Sequence, residues 1–152
     1  MGMRRTIIAG MLLALLGACS SVYGVASWHS PTYQLDLPTS FSGLGQTVIG
    51  SKPVVVDHDA DCTLRVTAGT NGEVLKNGTA TLATRYKLTG ASLQTEDSSW
   101  VDAADFVNNR SYLVQGNLSN DTLTLWVEAK SPASSVLPAG NYTADVVLTV
   151  SW

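Results

Sequence analysis

Residues 141–152, N-Y-T-A-D-V-V-L-T-V-S-W, carry the tightest constraint on what this chain can fold into. Tyr142, Ala144, Val146, Leu148, Val150 and Trp152 fall on one side of an extended backbone, and Thr143, Asp145, Thr149 and Ser151 on the other. A period of two is what a half-buried strand produces and a helix does not. Leu137-Pro138-Ala139-Gly140 ahead of it supplies the turn residues that let a chain enter such a strand. Terminal stretches fray unless something ties them down, so an aromatic on the apolar face of this one predicts a partner surface for it.

The rest of the chain repeats the pattern in shorter pieces. Thr32–Thr39 alternates Tyr33, Leu35 and Leu37 against Gln34 and Asp36, and stops at Pro38. Ser40–Gly50 is rich in Gly and polar residues and reads as a loop or a weakly specified edge. Pro53–Val56 reads as an apolar strand, and Cys62–Ala68 alternates Cys62, Leu64 and Val66 outward from a turn at Gly69–Gly72. Thr79–Leu88 reads as one bulged strand or two short ones. Val101–Val107 alone has any helical look. Ser111–Val114 and Thr122–Ala129 flank a turn at Gly116–Asp121. About seven to nine short strands punctuated by Gly, Asn, Ser and Pro predict an all-β antiparallel sandwich.

A chain of 152 residues that is 45% hydrophobic and 14% charged has room for one domain with a proper core. Its net charge is −3 and its Lys and Arg residues are scattered. That leaves no basic stripe to neutralise phosphates, so nucleic acid is not an expected partner.

Residues 1–26 read as an export signal. Arg4 and Arg5 form a charged start, and Thr6–Ala18 an apolar core shorter than the roughly 20 residues a membrane span needs. Two cuts compete. Gly24-Val25-Ala26 frees Ser27, giving a domain of residues 27–152, whereas Leu16-Gly17-Ala18-Cys19 looks like a lipobox that would lipidate Cys19. A cut before Cys19 without lipidation is a third route, and would let Cys19 and Cys62 pair in an oxidising compartment. With Ser27 first, Cys62 stands alone and reads as a buried core thiol.

Little here suggests chemistry. Asp57, His58, Asp59 and Asp61 cluster, but with no metal-motif spacing and no Gly inside, and read as a solvated turn that binds no metal. The chain has 2 His, no G-x-S-x-G elbow and no phosphate loop, so neither an enzyme nor a cofactor is expected. Five glycosylation-like triplets, beginning at Asn77, Asn109, Asn117, Asn120 and Asn141, reflect the Asn, Ser and Thr content. Trp100 and Trp126 read as core tryptophans or exposed anchors of a contact.

The ending P-A-G-N-Y-T-A-D-V-V-L-T-V-S-W resembles the closing strand of chaperone-usher fimbrial subunits, through Gly140, Tyr142, Val146, Leu148, Val150 and Trp152. Lys52–Val56 followed by Asp61–Thr67 is similar to the apolar strand, Cys and next strand of such pilins. The resemblance implies an immunoglobulin-like antiparallel β-sandwich that lacks one strand and is completed by donor-strand exchange. It implies a fimbrial subunit, structural or adhesive, that mediates cell adhesion and passes through the periplasm to the cell surface. Its partners would be a periplasmic chaperone, an outer-membrane usher and neighbouring subunits. Tyr142, Val146, Leu148, Val150 and Trp152 would form the chaperone and subunit contact. Tyr33, Leu35 and Leu37 are the candidate donor strand, or equally the first strand of the domain itself. The alternative is a self-contained immunoglobulin-like lipoprotein anchored in the outer membrane through Cys19.

Overall fold

A computed structural model describes residues 5–10, 26–30, 32–37, 41, 43–93 and 99–151. Its strands are β1 (Arg5–Gly10), β2 (Ala26–Trp28), β3 (Thr32–Asp36), β4 (Thr47–His58), β5 (Cys62–Ala68), β6 (Lys76–Asn77), β7 (Ala80–Thr81), β8 (Ala83–Thr89), β9 (Val101–Asp102), β10 (Ser111–Val114), β11 (Leu118–Lys130) and β12 (Tyr142–Ser151). One helix, α1 (Ala103–Asn109), lies between β9 and β10. No helix among the described residues is long and apolar enough to cross a membrane, which says nothing of membrane-crossing strands.

The strands form two sheets. Sheet A runs β10, β5, β12, β1, β3, with the small β6–β7 pair attached to β12, and sheet B runs β2, β4, β11, β8, β9. Every pairing among the described strands is antiparallel except that of β1 with β12. The protein is therefore an all-β sandwich.

The period of two in the sequence becomes the core. Tyr142, Ala144, Val146 and Leu148 of β12 are buried, as are Cys62, Leu64 and Val66 of β5 and Leu123, Leu125, Val127 and Ala129 of β11. On β4 the inward set runs from Val48 through Val54 and Val56 to His58. Of the two readings of Ser40–Gly50, loop or weakly specified edge, Thr47–Gly50 takes the second: it opens the long β4 and pairs with Lys130–Val127 of β11 on one side, while the described β2 reaches only Val56–His58. The Gly-rich composition hid an alternation that β11 enforces. Pro53 is tolerated because the described β2 covers β4 only at Val56–His58, so the missing N–H falls where β4 has a partner on one side. Thr79–Leu88 resolves into two strands, β7 and β8. The turn expected at Gly116–Asp121 is shorter, since β11 already begins at Leu118 and slips register between Leu118 and Asp121.

Different devices close the two long sides of the sandwich. On one side α1 passes from β9, the edge of sheet B, to β10, the edge of sheet A. It plugs the gap with Phe106, fully buried, whose ring stacks on Tyr86 at 5.1 Å and tilts against Tyr112 at 6.5 Å. Burial pushes the Tyr86 hydroxyl well above its ordinary range and raises that of Tyr112, and Tyr86 donates to the Glu73 carbonyl at 2.7 Å. On the other side the Tyr33 hydroxyl of β3 donates to the Val55 carbonyl at 3.3 Å and accepts from the Val55 N–H at 3.1 Å. One side chain of sheet A thereby bonds both backbone groups of Val55 at the edge of sheet B, where the His29 N–H also donates to the Val55 carbonyl at 3.0 Å.

Replacing Phe106 by Ala should cost about 3–5 kcal/mol, since it empties an aromatic-sized volume between two rings. The readout is a lowered urea midpoint. Val136→Ser, at a position 88% exposed, should stay within about 0.5 kcal/mol of the parent.

Candidate functional site

The position in sheet A between β12 and β3 is where the fold departs most from an ordinary sandwich. β12 is fixed on one flank by β5, from Val146 opposite Ala68 to Ser151 opposite Thr63, and by β6 at Thr143. Its entry is set by Gly140, at φ +140°, where an added Cβ would come within 2.5 Å of the Asn77 side-chain nitrogen. Asn77 Nδ2 donates to the Ala139 carbonyl at 3.3 Å, and the Tyr142 hydroxyl donates to the Pro138 carbonyl at 3.2 Å. Asp145, on the outer face, accepts from the backbone and side-chain nitrogens of Asn71 at 3.0 and 2.8 Å, which locks the Gly69–Gly72 turn onto β12.

On its other flank β12 pairs with β1 in parallel, from Arg5 opposite Tyr142 to Gly10 opposite Val147. The far side of β1 pairs antiparallel with β3, from Thr6 opposite Asp36 to Gly10 opposite Thr32. β1 is thus the sole described link between β3 and the remainder of sheet A. It lies inside the stretch read as an export signal, and β2 straddles the expected cut between Ala26 and Ser27. Sequence reasoning missed β1 because Thr6, Ile7 and Ile8 suit a strand as well as a signal core.

The other singled-out residues lie as follows. Tyr142, Val146 and Leu148 are buried along β12, Val150 is half-buried, and Trp152 lies outside the described residues, as does Cys19. Tyr33 and Leu35 belong to β3, and Leu35 and Leu37 are buried in the chain's own core. Cys62 is buried with no disulfide partner among the described residues, and desolvation raises its thiol pKa.

The acidic run from Asp57 to Asp61 disperses. No three His, Cys, Asp or Glu side chains converge among the described residues. Asp57 Oδ1 accepts from the Asn120 N–H at 2.6 Å and its Oδ2 from His29 Nε2 at 2.7 Å, and these bonds lower its pKa. Asp61 accepts from the Gly116 N–H at 2.7 Å. The carboxylates therefore hold the turn into β11, whose Asn120 sits at φ +60°.

Beneath that turn is a polar cluster with no local signature. His58 is buried, its Nε2 donates to Asp121 Oδ2 at 3.0 Å, and its Nδ1 lies 2.9 and 3.1 Å from the Gly116 and Ala60 carbonyls. Ser92 Oγ donates to the same carboxylate oxygen at 2.5 Å. Both imidazole nitrogens face acceptors, which favours the doubly protonated ring. Burial opposes that charge, but the bonds to Asp121, Ala60 and Gly116 outweigh it and His58 is raised above 6.5. Ser92 bonds to the carboxylate and not to the imidazole, so the trio lacks the nucleophile-to-base contact that hydrolysis requires. No protein-family model matches the chain, and no curated protein matches its sequence.

A raised folded pKa contributes stability that is complete below the unfolded value and lost as pH climbs through the folded one. The urea midpoint should therefore fall as pH rises from 6.5 toward the onset of Cys62 titration. Asp121→Asn should flatten that slope, and an equal slope in the variant would remove the assignment to His58.

Proposed function

We propose that the chain is a structural or adhesive subunit of a bacterial surface fimbria, built as an immunoglobulin-like sandwich that lacks one strand of its own and is completed by a donor strand. The observation that carries this reading is β1: a segment with the composition of an export signal fills the place between β12 and β3. Cleavage of that signal would leave a gap one strand wide. Its rims are the backbone groups of Tyr142–Val147 and Thr32–Asp36, and beside it the apolar side chains of β12 enter the core. A buried sheet does not tolerate such rims bare, and strand addition satisfies them, with backbone bonds giving affinity and alternate side chains giving fit.

In this reading a periplasmic chaperone covers the gap during transit, the outer-membrane usher exchanges it, and a neighbouring subunit's strand replaces it on the cell surface. Tyr142 and Val146 lie on the receiving edge, and Leu148 and Val150 continue the strand beyond the last residue that β1 pairs. The use of Tyr33 and Leu35 within the chain's own sheet, with Leu37 buried in its core, supports assigning this segment to the opposite wall of the gap, with the donor coming from another segment or another subunit.

The test compares the full chain with residues 27–152. The shortened form should melt lower and self-associate, because each lost backbone hydrogen bond is worth about 0.5–1.5 kcal/mol net against a total stability of about 5–15 kcal/mol. A peptide spanning residues 4–14, added in trans, should restore a monomer and raise its melting temperature. A shortened form that is a stable monomer and ignores the peptide would overturn the proposal.

A further inference from the structure

The outer face of sheet B carries two tryptophans that the core does not use. Trp126 of β11 stands opposite Lys87 of β8, with Ser51 of β4 on its other side. Trp100 directly precedes Val101, which pairs with Tyr86, the neighbour of Lys87. The Lys87 ammonium lies 4.8 Å from the Trp100 ring centre and 5.0 Å from that of Trp126. A row Ser51, Trp126, Lys87, Trp100 thus crosses the sheet, and its last three side chains are half-buried.

Both rows beside it serve to hold this one still. On one side Arg85 meets Glu128 at 3.3 Å and Asp102 at 3.5 Å, and donates to the Trp100 carbonyl at 3.0 Å. On the other, Thr89 Oγ1 accepts from Trp126 Nε1 at 3.0 Å. The Trp126 indole is fixed through its ring nitrogen and the Trp100 backbone is pinned beside it, so part of the ordering is already done when a ligand arrives. The charges are unevenly matched. Arg85 is neutralised by two carboxylates, whereas Lys87 makes no ion pair among the described residues.

We propose that this row is a platform for an acidic polysaccharide, binding a hexuronic acid residue. The C–H groups on one face of a pyranose ring carry partial positive charge and suit the electron-rich face of an indole. An equatorial ring carboxylate lies near the plane of a stacked sugar, so it points along the row toward Lys87. The two cation–π contacts that now hold the ammonium are modest. A charge-assisted bond to a carboxylate is stronger, and the flexible lysine stem lets the ammonium follow the incoming anion and free a ring face. Asp102, with its side chain 79% exposed, and Ser51 are placed to bond sugar hydroxyls. A sialic acid fits less well because its carboxylate leaves the ring axially. The platform lies in the other layer from β12, and does not depend on how the gap beside β12 is filled.

The experiment titrates the purified full chain with an oligosaccharide of glucuronic acid, the matching glucose oligosaccharide and sialyllactose, following tryptophan fluorescence and heat. The glucuronate probe should bind at least about tenfold more tightly than either other sugar, and more weakly as salt is added. Trp126→Ala and Lys87→Met should each lose about tenfold or more, Lys87→Arg should retain binding, and Lys76→Ala, on sheet A, should not alter it. Melting each variant separates lost binding from lost folding, and Lys87→Met removes the charge while keeping an unbranched side chain of similar length. Absence of glucuronate binding, equal binding of the glucose probe, preference for sialyllactose, or an unaffected Lys87→Met would each overturn the proposal.

Discussion

A strand whose side chains are buried must have its backbone bonded on both flanks, and β12 is the strand on which this demand falls hardest. β5 and β6 supply one flank; the other depends on six residues near the start of the chain. The dependence then spreads, because β1 is the described link that keeps β3 in sheet A, and Tyr33 of β3 caps the exposed edge of β4 at Val55. A change at one strand position in sheet A is thus felt at an edge of sheet B. The opposite side of the sandwich is insulated from it, since α1 and the rings of Phe106, Tyr86 and Tyr112 close it independently.

The polar end of the molecule shows a second economy. A run of carboxylates at one turn would repel itself if its members had nothing to bind. Here Asp57 and Asp61 are spent on backbone N–H groups of a neighbouring turn, and Asp121 on a buried imidazole. Charge density that looks like a cation site in one dimension is used to fix a hairpin in three.

How much was legible in the sequence depended on whether the signal was local. The alternation of Tyr142, Ala144, Val146 and Leu148 marked a half-buried strand, and Cys62, Leu64 and Val66 did the same for β5. Thr47–Gly50 was obscured because two glycine-bearing turns and a strand start share one composition, and only β11 decides between them. The bonds among His58, Asp121 and Ser92 span 63 and 29 residues, beyond the reach of any window. β1 was hidden for a different reason, since β-branched apolar residues satisfy a signal core and a strand equally well. The paired role of Trp126 and Lys87 required a strand register, which turn residues only suggest.

Cys62 gives the fold a reporter of its own motions. In residues 27–152 it is the sole thiol, it is 2% exposed, and its raised pKa keeps it in the unreactive protonated form. It pairs with Val114 on the edge strand β10, one residue before Thr63, which faces Ser151 of β12. An alkylating reagent can reach the sulfur only when that corner opens, so the labelling rate measures how often the last turn of β12 and its neighbours part. Whatever strand lies against the far flank of β12 will slow that clock or leave it alone, and the difference reads out how far rigidity is passed across the sheet.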